Sequence, residues 1–325
     1  MTQPKNIYNL PFPAKFSSRR ISYFLGGLLD WWRPPLELVL IGTALLVGIG
    51  TGLGAVAFRY LIQAVAWVGY VWIPQQTENW GTAYVLFVPA FGGLLVGLLV
   101  YFFAREAKGH GVPEVLGAIV FRGGIIRPIV AAVKITASAM TIAFGGSVGR
   151  EGPIVQIGAA LASSLGQWLH FSPQRLRTMI GCGAAAGIAA TFNAPIAGAF
   201  FALEILLRDF AVVTFAPIIV ASVVATTVSR HFLGDTPAFP VPGFEMNSYA
   251  ELPLYLLMGL VVGVVAVAYV RSLYAAEGWF DRLRFPAALK PAIGAVPLGI
   301  LFIWFPQVYG VGYGSMVEAL YGRMD

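Results

Sequence analysis

Residues 36–69 read LELVLIGTALLVGIGTGLGAVAFRYLIQAVAWVG, and only Glu37 and Arg59 among them are charged. A helix on the surface of a water-soluble domain needs a polar face, and this run has none. It is longer than the roughly 20 residues that cross a bilayer perpendicularly, so it is expected to tilt. Further apolar runs fall at 83–104, 126–145, 212–229, 252–276 and 288–305. Over the whole chain 58% of residues are hydrophobic and 11% charged, with a mean hydropathy of +0.77. Soluble domains carry roughly a quarter of their residues as charges. The chain is therefore an all-α polytopic membrane protein that meets lipid over much of its surface. The pattern argues against a membrane β-barrel, whose strands alternate apolar and polar over ten-residue segments.

Three segments, 153–169, 174–191 and 195–207, are shorter and are interrupted at HFSP and FNAP. Such breaks are tolerated at membrane depth only where protein covers the backbone or a polar cavity receives it. Orientation follows from the loops. Lys5, Lys15, Arg19 and Arg20 precede the first span, residues 70–82 hold no Lys or Arg, and residues 104–110 hold Arg105 and Lys108. Positive charge gathers on the cytoplasmic side, which places the N-terminus and residues 104–110 there and points to a plasma (inner) membrane. No cleavable signal peptide is evident. The single cysteine, Cys182 in GCGAAAG, excludes a disulfide framework and reads as a small core residue. In this context the net charge of +6 gives no sign of nucleic-acid binding.

The chain also repeats itself. PAFGGLLVGLLV (89–100) returns as PAIGAVPLGILF (291–302), AVAF (55–58) as AVAY (266–269), and GHG (109–111) as GYG (312–314). The order is kept at a separation of about 200 residues, as expected of two related halves. This gives an N-terminal cytoplasmic segment (1–35), a first membrane repeat (36–232), an inter-repeat loop (233–251) and a partial second repeat (252–325).

Against this apolar background GSVGREGPIVQIG (146–158) stands out, because Arg150 and Glu151 lie side by side among glycines. Pro153 suits a helical first turn, where a missing N–H costs nothing. Gly149 and Gly152 let backbone N–H groups approach a ligand, and a helix N-terminus favours an anion. Glu151 sits where that anion would sit, so it competes for the site when ionised and leaves when protonated. The alternative is an Arg–Glu ion pair at a helix end. Ionisable residues inside a membrane are functional by default.

GHGVPEV (109–115) follows the same design. Pro113 and Glu114 occupy a first turn, and the N–H groups of Gly111 and Val112 face an anion. His110 either donates a ring N–H or is a solvated histidine at a loop end. A third restart, TFNAPIAGAFFALEI (191–205), takes Asn193 as N-cap and Pro195 in the first turn. Glu204, deep in that helix, has Arg208 four residues on as a ready partner.

Other chemistry is poorly served. GSVGREG is not a dinucleotide fingerprint, and His110, His170, His231 and Cys182 lack metal-ligand spacing. No cofactor is called for. An intramembrane enzyme using Glu151 and His110 lacks a catalytic constellation.

GREGP, preceded by Gly-His-Gly-Val-Pro and followed by FNAPIAG, resembles the CLC family of chloride channels and chloride/proton antiporters over roughly residues 36–325. The resemblance implies an inverted-repeat helical fold with tilted and broken helices, a homodimer of two independent pores, and chloride or another small anion, with protons, as cargo. It places Glu151 at the gating glutamate and Arg150 beside it, with Gly149, Gly152 and Pro153 shaping the loop. Lys134 matches a lysine whose charge favours anions in the pore. Gly109–Pro113 matches the family's Gly-Ser-Gly-Ile-Pro loop, with His110 in place of serine. Glu204 matches a common acidic position. Ile205 stands where many proton-coupled members carry a second, proton-donating glutamate, so these two residues mark either a proton path or a structural contact. The family's Gly-Gly-x-Phe-x-Pro loop and a late tyrosine do not occur before Asp325. The expectation is a second repeat that is incomplete here, and 325 residues that need a further chain segment to complete a pore. The other reading is a non-conducting remnant or assembly subunit.

Overall fold

The computed structural model describes residues 36–76, 84–238, 240–243, 245–246 and 248–324. The N-terminal segment 1–35, with the charges used to orient the chain, lies outside the described residues. Helix α1 spans Leu36–Trp67 and continues through a π turn at Val68–Trp72. Then follow α2 (Tyr84–Phe103), α3 (Val112–Phe121), α4 (Ile129–Ala143) and α5 (Glu151–Trp168). Helix α6 is Pro173–Phe192, and α7 (Pro195–Phe201) passes into a π turn at Ala202–Leu207. The last four are α8 (Val212–Leu233), α9 (Leu252–Arg282), α10 (Lys290–Trp304) and α11 (Tyr313–Leu320). Among the described residues, four segments are long and apolar enough to cross a membrane: Glu37–Trp72, Val85–Phe103, Val212–Leu233 and Tyr249–Arg282. Four shorter apolar helices accompany them, which is the broken-helix pattern expected from the sequence.

Small residues set the packing. In α6 every residue from Met179 to Ala190 is buried, Cys182 included. Gly183 of α6 and Gly158 of α5 meet backbone to backbone, and a Cβ on either would collide with the other's carbonyl. Gly48 and Gly52 of α1, one helical turn apart, likewise lie against the carbonyls of Ala221 and Ala225 of α8. Lipid is as apolar as the helix surfaces, so helix association in a membrane depends on such close approach.

The repeated motif produces a reciprocal contact. Gly97 of α2 abuts the Ala288 carbonyl just before α10, and Gly299 of α10 abuts the backbone of Val85 and Leu86 in α2. One and the same sequence offset carries Gly97 onto Gly299 and Leu86 onto Ala288. The two equivalent helices therefore run antiparallel, each offering the same glycine to the other, as in an isologous interface.

Three local expectations are corrected. Asn193 is not the N-cap of α7; that position is Ala194. Asn193 closes α6 in the left-handed region (φ 59°, ψ 37°), which asparagine tolerates. Its side chain donates to Asp235 (2.8 Å) and accepts from Arg230. Glu204 and Arg208 do not pair. The π turn disrupts the i, i+4 register, and Arg208 ends it at φ 52°. The span expected to stop at 276 continues to Arg282, because Gly278 alone is too weak a breaker to end a helix.

Replacing Gly183 by leucine is expected to lower the detergent melting temperature and broaden the gel-filtration peak, since overpacking costs about 1–3 kcal/mol or more. Gly117→Leu, at a position with nothing within 4 Å of an added Cβ, should leave both measurements unchanged.

Candidate anion site

Two glycine loops build the site. The first runs into α3 with Gly109 at φ 113° and Gly111 at φ 98°, values only glycine adopts without strain. Lys134, 4% exposed on α4, reaches across from behind it. Its ammonium donates to the carbonyls of Ala107 (3.0 Å) and Gly109 (2.9 Å) and so fixes the loop. Pro113 sits in the first turn of α3 as expected. Glu114 folds back over Gly109, leaving no room there for a Cβ, and accepts the Gly111 N–H at 2.6 Å. The Gly111 donor, expected to face an external anion, is thus held by the helix's own carboxylate.

The second loop leads to α5. The Gly146 N–H donates to the Thr141 carbonyl (2.7 Å) and the Val148 N–H to the Gly146 carbonyl (2.9 Å), which turns the chain tightly. Arg150 is the N-cap and Glu151 the first helical residue, with Pro153 in the first turn. The Glu151 carboxylate also folds back. Its Oε2 lies over Gly149, where a Cβ would collide with it. Its Oε1 accepts from the Tyr313 hydroxyl. Arg150 and Glu151 form no ion pair. Instead the guanidinium lies 4.7 Å from the Tyr313 ring centroid and donates to the Thr191 carbonyl at 3.4 Å. The Arg150 Nε is buried without a hydrogen-bond partner among the described residues.

The two loops touch. A Cβ on Gly111 would collide with the Gly152 backbone, and one on Gly152 with the His110 carbonyl. The N-termini of α3 and α5 therefore meet backbone to backbone, and their positive dipole ends add at one point.

His110 contributes its carbonyl to that junction, while its half-exposed ring turns to α9. There Nε2 lies 3.5 Å from Glu277 Oε2, and the ring sits edge-on to Tyr274 at 6.3 Å. Lys108 pairs with Asp281 at 3.3 Å on the same helix. Glu204 and Ile205 lie exposed in the π turn after α7 and make no hydrogen bond or ion pair with either loop. No cluster of three or more His, Cys, Asp or Glu fit to hold a metal occurs among the described residues.

Sequence reasoning missed Tyr313 and Glu277. The match of GYG to GHG held the clue to Tyr313. It is the repeat counterpart of His110, and both residues touch the same loop, His110 through its carbonyl at Gly152 and Tyr313 through its hydroxyl at Glu151. Glu277 lies past the end predicted for its helix.

Among the described residues the fold is that of an all-helical membrane protein with interrupted helices, two of whose N-termini converge beside the Glu151 carboxylate. The family model described as voltage gated chloride channel matches residues 92–325. The chain is 34% identical over 284 residues to a ClcB-like chloride channel protein of Ralstonia nicotianae, covering 84% of this chain and 66% of that one. It is 31% identical over 313 residues to the H(+)/Cl(-) exchange transporter ClcA of Cronobacter sakazakii, covering 91% and 65%. Its structure is similar to that of a slow cyanobacterial Cl-/H+ antiporter, with a TM-score of 0.74 at 25% identity over 86% of this chain and 67% of that one. The chain belongs to the voltage-gated chloride channel (CLC) family and is an integral membrane protein.

Lys134→Met removes the donor to two loop carbonyls. Hydrogen bonds to a charged group contribute about 1.5–3 kcal/mol each, so the variant is expected to unfold several degrees lower in a detergent thermal melt. Lys134→Arg, which keeps a charged donor, should recover part of the loss.

Proposed function

We propose that this chain carries chloride, or a similar small anion, through a CLC-type pathway in which Glu151 is the gate. The observation that supports this most directly is the meeting of the α3 and α5 N-termini at Gly111 and Gly152, with the Glu151 carboxylate folded over that same loop. An anion entering there meets N–H groups and two helix dipoles. The ionised Glu151 occupies the same field and excludes it. Protonation cancels the side chain's attraction to the site, so it swings away and the anion takes its place. One group thereby ties anion passage to proton supply, in a channel or an exchange cycle.

In this reading Gly149, Gly152 and Pro153 give the gate its room and its turn, and Arg150 anchors the loop. Gly109, Gly111, Val112 and Pro113 form the facing wall. Lys134 adds a fixed positive charge behind it. His110, paired with Glu277, bears on which anion is taken. Glu204 and Ile205 lie away from the two loops, on a separate proton path or structural contact. We further infer a homodimer, a lipid bilayer around the apolar faces, a cytoplasmic N-terminus in an inner membrane, and two repeats divided at residues 233–251.

Glu151→Gln is the direct test, in liposomes loaded with chloride. Anion efflux is expected to lose its pH dependence and to proceed without proton movement. Efflux and pH response both identical to the wild type would refute the gate.

A further inference from the structure

We propose that Tyr313 is the latch of the gate: its hydroxyl holds the Glu151 carboxylate closed against Gly149, and breaking that hydrogen bond governs how readily an anion enters. The inference rests on the reading of Glu151 as the gating carboxylate and adds a positioning residue to it.

The carboxylate is pinned on two sides. Oε2 is packed over Gly149, and Oε1 accepts from Tyr313. The tyrosine is itself fixed on both faces of the problem, ring and backbone. Its ring carries the Arg150 guanidinium at 4.7 Å, and Arg150 is tied to the Thr191 carbonyl. Its backbone follows Gly312 (φ 77°), which starts α11.

The segment leading to Tyr313 is anchored to the strand of loop that carries the gate. Tyr309 donates to the Ala143 carbonyl at 2.8 Å, and Tyr70 donates to that of Phe144 at 2.9 Å. The Tyr309 ring packs edge-on against Tyr70 (4.8 Å) and Phe302 (5.7 Å). These residues close the end of α4, immediately before the Gly145–Arg150 turn. The segment before Tyr313 and the chain leading into the gate loop are thus tied to the same end of α4.

The chemistry suits a latch. A phenol O–H donates strongly to an ionised carboxylate, and a protonated carboxyl has less need of that donor. The charged and titratable groups around the contact are Arg150 beside it, Arg59, which lines a small cavity with Arg150, and Glu114 and Lys134 behind the facing loop. None of these replaces the Tyr313 hydroxyl at Oε1 among the described hydrogen bonds.

The test is a double-mutant cycle on the full-length protein in phosphatidylethanolamine–phosphatidylglycerol liposomes, reading chloride efflux. Tyr313→Phe keeps the ring under Arg150 and removes only the hydroxyl. Efflux is expected to rise about tenfold, the equivalent of one charge-assisted hydrogen bond. Tyr313→Leu, a second way to remove the donor, should raise it likewise. In a Glu151→Ala background, which leaves the hydroxyl no acceptor at this position, Tyr313→Phe should add nothing, whereas a merely structural tyrosine would change efflux in both backgrounds. An equal change in both, or no change in either while Glu151→Gln alone alters efflux, would overturn the latch. Glu151→Gln behaving as wild type would overturn the gate, and the latch with it.

Discussion

The site depends on a contact between two pieces of backbone. At Gly111 and Gly152 the loops that start α3 and α5 approach so closely that neither tolerates a Cβ. Backbone polar groups withdrawn from water need cover, and here each loop is part of the other's cover. The same contact brings two helix N-termini to one point. Each terminus carries only a partial positive charge, and side by side the two add.

Both loops satisfy that positive field with a carboxylate of their own. Glu114 takes the Gly111 N–H, and Glu151 folds over Gly149 to meet Tyr313. The resemblance between them makes the difference clear. Glu114 is tied to the backbone of its own helix turn, with Lys134 fixing the loop behind it. Glu151 is held by a side chain from a distant part of the chain, and a side-chain partner is more readily exchanged than a backbone one. One carboxylate is suited to be a fixture and the other a moving part.

Much of this was legible in the sequence because it rests on local rules. Charge-poor runs longer than a bilayer is thick require membrane helices, and Gly–Pro pairs mark where helices restart. The places of Pro113, Pro153 and Pro195 follow from the missing N–H of proline. The repeat PAFGG/PAIGA marked two related segments, and in the fold their Gly97 and Gly299 pack reciprocally. What local rules missed was direction. Asn193 has the composition of an N-cap and serves as a C-cap, because the chain turns left-handed there to start α7. The spacing of Glu204 and Arg208 suits an ion pair, yet a π turn separates them.

The sequence by itself determined the class of protein, most of its apolar helices and their breaks, and the glycine–proline loops with Glu151 among them, since each follows from burial, backbone freedom or a missing donor within a few residues. Only the tertiary structure decided what those loops face. That the His110 ring leaves the junction for Glu277, that Arg150 stacks on an aromatic ring rather than pairing with Glu151, and that Tyr313 closes on Glu151 are contacts between segments far apart in the chain. No periodicity encodes such partners. They are fixed by how closely glycine and alanine let whole helices approach.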